Sequence, residues 1–159
     1  MTQYPMTLPT RQAPAPRTTP ATPHVQLDQF APAQTQNELW QRMSAMANTD
    51  MGRSLISAPT SKAVHLRPGH AAGPREAFLI GHEFAHFHGD GSGSLHLTLP
   101  IDLVQVAVDA GWAEPHPAVA LGFAPPTAVM VFAPRNDEEL EIVWHLVEAS
   151  FAFATQPIA

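Results

Sequence analysis

Between residues 34 and 47 the apolar side chains Leu39, Trp40, Met43 and Met46 fall at i, i+1, i+4 and i+7, the spacing of one helical face. That helix is expected to open the folded domain. Near the C-terminus Leu140, Val143, Trp144, Val147 and Phe151 form a second stripe at helical spacing. Asn136 stands where a cap belongs and Asp137, Glu138 and Glu139 fill the first turn, an Asn-x-x-Glu spacing that resembles a capping box and suits the helix dipole. The stripe reads as core and His145 beside it as surface. Pro100 opens a further helix through Leu103, Val104 and Ala107, and Gly111 ends it where a left-handed residue is wanted. Residues 128–132 read as a buried strand. Residues 1–33 carry Pro5, Pro9, Pro14, Pro16, Pro20, Pro23 and Pro32 without helical or strand periodicity, so a disordered or extended tail is expected there, followed by one domain over 34–159.

The densest chemistry lies between residues 81 and 99, where two incompatible patterns overlap. As a helix, His82-Glu83-Phe84-Ala85-His86 is H-E-x-x-H, which places two histidines on one face for zinc while the glutamate polarises water, the arrangement of a zinc hydrolase. As a hairpin, residues 89–93 are the turn, since three glycines, an aspartate and a serine make a poor helix and a good loop. Pairing 88 with 94 then sets 86 against 96 and 84 against 98. The faces separate into Ala85, Phe87, Leu95, Leu97 and Leu99 on one side and Phe84, His86, His88, Ser94, His96 and Thr98 on the other. That alternation favours strands. It makes His86 and His96 cross-strand neighbours with Cβ atoms about 5 Å apart and His88 one step along the same face. Three such imidazoles can hold a divalent metal, Zn or Fe, with open positions, or act without metal as a general base; Asp90 reads as a turn residue.

Composition narrows the chemistry. A chain of 159 residues, 45% hydrophobic and 14% charged, has room for one domain with a real core and excludes a multidomain machine. The absence of cysteine excludes disulfides, a thiol nucleophile and cysteine-ligated metal, leaving nine histidines as candidate ligands. Net charge is −6, and from Glu76 onward eleven acids face a single base, Arg135, a surface that repels nucleic acid and anionic membrane. No run approaches the roughly 20 apolar residues of a membrane span, and the N-terminus lacks the apolar core of a secretory signal. A soluble, cytoplasmic protein is expected.

From Glu83 onward the chain resembles the fungal luciferase family and its bacterial relatives, over about half its length. The resemblance rests on Glu83-x-Ala85-His86-x-His88, seven residues and then His96; Gly111-Trp112 followed by His116-Pro117; Pro125-Pro126-Thr127; Ala133-Pro134-Arg135-Asn136; and Val147-Glu148-Ala149-Ser150. It implies oxygenation of a small aromatic substrate, a 3-hydroxylated pyranone related to hispidin, with O2 as co-substrate and no organic cofactor, through a peroxide that loses CO2. The membrane helix of fungal luciferases is not expected to carry over, because a proline-rich segment stands in its place.

Under that resemblance one of His86, His88 and His96 removes the enol proton. His116, between Pro115 and Pro117, presents its ring to the same cavity, and Arg135 neutralises the enolate or peroxide unless it is an ordinary surface arginine. Thr98 and Phe84 on the histidine face are expected to touch substrate, and Trp112 either stacks on it or belongs to the core. A non-catalytic small-molecule or metal-binding module on the same face is the alternative. The fold expected is α+β: a mainly antiparallel sheet built on the histidine hairpin, its leucine face covered by C-terminal helices.

Overall fold

The computed structural model describes residues 7–157. Helix α1 (Ala33–Ser44) leads into the hairpin of β1 (Thr49–Arg53) and β2 (Lys62–Leu66), and a second hairpin pairs β3 (Glu83–Phe87) with β4 (Leu95–Thr98). Then follow α2 (Ile101–Asp109), β5 (Ala113–Pro115), the short α3 (Pro117–Ala120), β6 (Ala128–Val131) and α4 (Asp137–Thr155). The strands form one antiparallel sheet in the order β1-β2-β3-β4-β6-β5, so the fold is α+β with the histidine hairpin at its centre. Among the described residues no helix is long and apolar enough to cross a membrane.

One face of the sheet is the core. Phe87, Leu95, Leu97 and Leu99 pack with Leu140, Val143 and Val147 of α4 and with Leu39 and Met43 of α1, all of them buried. Helix α4 starts where its cap predicts: Asn136 Oδ1 accepts the Glu139 N–H at 2.9 Å. The second half of the capping box is diverted, because the Glu139 carboxylate takes the Arg135 N–H and guanidinium instead.

The hairpin register is the predicted one, with Ala85 opposite Leu97, His86 opposite His96, Phe87 opposite Leu95, and the His88 N–H donated to the Ser94 carbonyl at 3.0 Å. No helix runs through His82 and His86: His82 is exposed in the turn before β3, its ring 6.1 Å from Phe78, and an extended chain carries it away from the position that H-E-x-x-H requires. The zinc-hydrolase geometry is therefore not formed.

A bulge corrects a second expectation. Val64 pairs with Ala85 but His65 pairs with Glu83, so β3 uses two residues where β2 uses one. The odd residue inverts the alternation upstream of it. Phe84 turns to the helix side, its ring 6.0 Å from Phe151 of α4, and Glu83 takes its place on the histidine side. Strict alternation had put Phe84 among the substrate contacts; it is core.

The proline-rich segment also differs from the expected disordered tail. Its described part, residues 7–32, has almost no regular structure yet is tied to the domain at single points. The Arg11 N–H is donated to the Ala110 carbonyl at 2.9 Å, Gln26 Oε1 accepts the Ala133 N–H at 2.9 Å, and the Ala31 N–H is donated to the Ser92 carbonyl at 2.9 Å. His24 and Gln26 are buried. Periodicity analysis is blind to such a strap, because it docks through individual side chains and carbonyls and has no apolar face of its own.

If Phe84 is core, Phe84→Ala lowers the unfolding free energy by about 3–5 kcal/mol in a urea titration. A loss below about 1 kcal/mol would place the ring outside the core.

Candidate active site

On the face opposite α4 the hairpin brings His86, His88 and His96 together, as the strand reading required. His96 Nδ1 stands 3.0 Å from His86 Nε2 and 2.9 Å from His88 Nε2. All three rings are buried. His116, just ahead of α3, adds its ring 4.6 Å from that of His96. A fifth histidine comes from the proline-rich strap: His24 Nδ1 lies 2.8 Å from His96 Nε2.

Behind these rings run three chains of hydrogen bonds, each ending on a carboxylate. His86 Nδ1–H is donated to Glu83 Oε2 at 2.8 Å, and the same carboxylate accepts the Ser54 hydroxyl at 2.8 Å and the Leu55 N–H at 2.8 Å. His88 Nδ1–H is donated to Ser94 Oγ at 2.8 Å; Ser94 hands its hydrogen to Ser92 at 2.9 Å, and Ser92 Oγ–H is donated to Asp90 Oδ1 at 2.6 Å. His96 Nε2–H is donated to His24, whose own Nε2–H reaches Glu114 Oε1 at 2.7 Å. Carboxylates only accept, so they set the direction of every bond behind them. For neutral rings this leaves bare lone pairs on His86 Nε2, His88 Nε2 and His96 Nδ1, all facing one point.

His116 has the opposite polarity. Its Nδ1 accepts the Ala118 N–H at 3.0 Å, so a neutral ring carries its hydrogen on Nε2 and presents a donor.

Electrostatics keep the rings of His88, His96 and His116 neutral. Burial first, and then the neighbouring imidazoles, push His88 down to about 3 and hold His96 well below the usual histidine value; burial and the charges of His24 and His86 push His116 to about 4. Burial alone would raise Glu83, but hydrogen bonds from His86, the Leu55 N–H and Ser54 outweigh it and keep the carboxyl below its ordinary range. Glu114 is likewise held low, with burial opposed by the hydrogen bonds of His24 and Thr18.

The cluster floors a cavity of about 500 Å³ whose walls are mostly apolar, among them Val25, Ile56, Leu79, Phe123 and Pro125. That volume suits a ligand of a few fused or linked rings. His86, His88, His96 and His116 all line it, and so does His24. Among the described residues two sets of three histidines have nitrogens within 4.8 Å of one another and could hold a metal: His86, His88 and His96, and His24, His96 and His116.

Other residues singled out in the sequence lie elsewhere. Trp112 is core, its indole N–H donated to the Pro9 carbonyl at 2.6 Å. Thr98 is buried with its hydroxyl donated to the Ala77 carbonyl at 2.7 Å, and Phe84 packs on α4. Arg135 is ion-paired with Glu139 at the start of α4 and does not line the cavity. None of these four reaches the cluster. Sequence reasoning missed His24, Ser92 and Glu114, and it placed Ser94 on the histidine face without a task. Glu83 had a role only in the H-E-x-x-H reading, since a strict strand points it away from His86. His24 left no signal, being 72 residues from its partner and in a segment without periodicity.

Residues 81–150 match the family model of the Luciferase domain. The luciferases of Armillaria gallica and Armillaria mellea are each 39% identical to this chain over 75 residues, covering 46% of it and 28% of the relative. The luciferase of Neonothopanus nambi is 37% identical over 75 residues, with the same coverage. The chain thus spans about 28% of the length of these curated relatives. No solved structure matches the chain. The matched stretch contains β3, β4 and every cluster histidine except His24, so the likeness to the Luciferase domain and to the fungal luciferases covers the hairpin on which the site is built.

Proposed function

We propose that this protein is a luciferase-like oxygenase that binds a flat hydroxylated aromatic, a 3-hydroxypyranone of the hispidin type or a related enol, and combines it with O2 without an organic cofactor. The observation that carries the reading is the cavity itself: apolar walls wide enough for a planar substrate end on a floor of imidazoles, within the luciferase-like segment. In this reading the ring system lies between Ile56, Leu79 and Phe123, which exclude water from it, and its enol oxygen points at the histidine floor.

Transfer of the enol proton to a lone pair of the floor, on His86 Nε2, His88 Nε2 or His96 Nδ1, makes the ring electron-rich enough to react with O2, and His116 Nε2–H is the donor placed to hold the oxyanion. Both oxygen atoms enter the substrate as a peroxide. Its collapse releases one CO2 and leaves the oxidised product, with all electrons drawn from the substrate, so no external reductant is needed. Arg135, committed to Glu139, has no part in this scheme. A purely binding role would use the same cavity without consuming oxygen.

An oxygen electrode, with photon counting alongside, checks the reading on purified protein and 3-hydroxyhispidin. Uptake matched by CO2 release is expected, and none at all with this substrate or with related hydroxypyranones would leave a binding role. His116→Ala is expected to slow turnover by about 100-fold or more, as for loss of an oxyanion donor. His82→Ala, on the exposed turn, should leave uptake unchanged; a large loss there would instead favour H-E-x-x-H chemistry.

A further inference from the structure

Three bare lone pairs aimed at one point are costly unless something positive sits between them. A hydrogen on His96 Nδ1 does not resolve this, because it serves only one of His86 Nε2 and His88 Nε2 and leaves the other bare. The geometry points to a mononuclear site for a first-row divalent transition ion, held by His86 Nε2, His88 Nε2 and His96 Nδ1 with its remaining positions open to the cavity.

The nitrogen spacing fits such an ion. Two imidazole nitrogens about 2.1 Å from one metal stand roughly 3.0–3.4 Å apart for angles between 90° and 109°. The distances of 3.0 and 2.9 Å from His96 Nδ1 are close to the right-angled end of that range, the spacing of neighbouring ligands on an octahedral ion. Neutral imidazoles suit ions such as Zn²⁺, Fe²⁺ and Co²⁺ and suit Mg²⁺ and Ca²⁺ poorly.

The surroundings are those that a metal site demands. Each ligand's other ring nitrogen is tied down: to Glu83 directly, to Asp90 through Ser94 and Ser92, and to Glu114 through His24. Glu83 is fully buried, and among the described residues no lysine or arginine lies within ion-pair distance of it. A dication beyond His86 would place positive charge behind the ring that Glu83 holds. The competing set of His24, His96 and His116 fails on polarity, since the His24 Nδ1 lone pair is used by His96 and His116 carries its hydrogen on Nε2.

In the oxygenation scheme the ion would replace a bare lone pair as the partner of the enol oxygen. That use rests on the proposed function, whereas the binding of the ion does not.

The test is a titration of the full chain, prepared without a histidine tag and stripped with chelator, using Zn²⁺ in a calorimeter and Co²⁺ in a visible spectrometer. One equivalent of each is expected, with cobalt bands characteristic of nitrogen ligation. His96→Gln should abolish both signals. Ser94→Ala, which removes only the acceptor behind His88, should weaken binding by about 10–100-fold, and His145→Ala on the exposed face of α4 should change nothing. Circular dichroism confirms that each variant is folded; should His96→Gln fail to fold, Ser94→Ala decides. Stoichiometry well below one, or cobalt bands that survive His96→Gln or are untouched by Ser94→Ala, would overturn the site. Binding without oxygen uptake would sink only the oxygenase reading, and uptake without binding would sink only the metal.

Discussion

The hydrogen bond between Glu83 and His86 is the contact on which the rest of the site depends. A carboxylate with no exposed surface is tolerable only when its lone pairs are filled, and here Ser54, the Leu55 N–H and His86 fill them. The bond sets the His86 tautomer, and with it the lone pair turned toward His96. It also requires the bulge at Phe84, because a regular β3 would point the carboxylate at the leucine core. One extra residue in a strand thus supplies a core ring to α4 and a buried acid to the cluster at the same time.

The sheet divides its labour by face. Its leucine side meets α4 and α1 and makes the rigid half of the molecule, so the histidines stand on a frame and not on loops. Its other side is polar at the strands and apolar at the surrounding loops, which makes a cavity with a chemical floor and greasy walls. The turn between β3 and β4 serves both purposes. Its Gly93 has φ +83° and a Cβ there would meet Ala31 at 2.8 Å, while Asp90 and Ser92 in the same turn terminate the chain of hydrogen bonds behind His88.

The proline-rich strap completes what the luciferase-like segment leaves open. Without His24, the Nε2 of His96 would have no acceptor and the polarity of the third chain would be lost. The strap also contributes Val25 to the cavity wall. A segment that looks compositionally dispensable is therefore part of the site, and Glu114 at the far end of the relay ties it to β5.

Much of this was readable along the chain. The helices over 33–44 and 137–155, the Asn136 cap and the register of the histidine hairpin follow from local rules: apolar spacing, turn glycines and the constant sum of an antiparallel ladder. Those rules act between near neighbours, which is why His86, His88 and His96 could be grouped by sequence alone. Tertiary structure decided everything that depended on distant partners or on a break in periodicity. Phe84 and Glu83 exchanged faces because an irregular pairing with β2 inserted one residue. Trp112 found the Pro9 carbonyl, 103 residues away, and His24 found His96. No local pattern encodes such contacts, since they become favourable only when the folded chain buries both groups and leaves each no other partner.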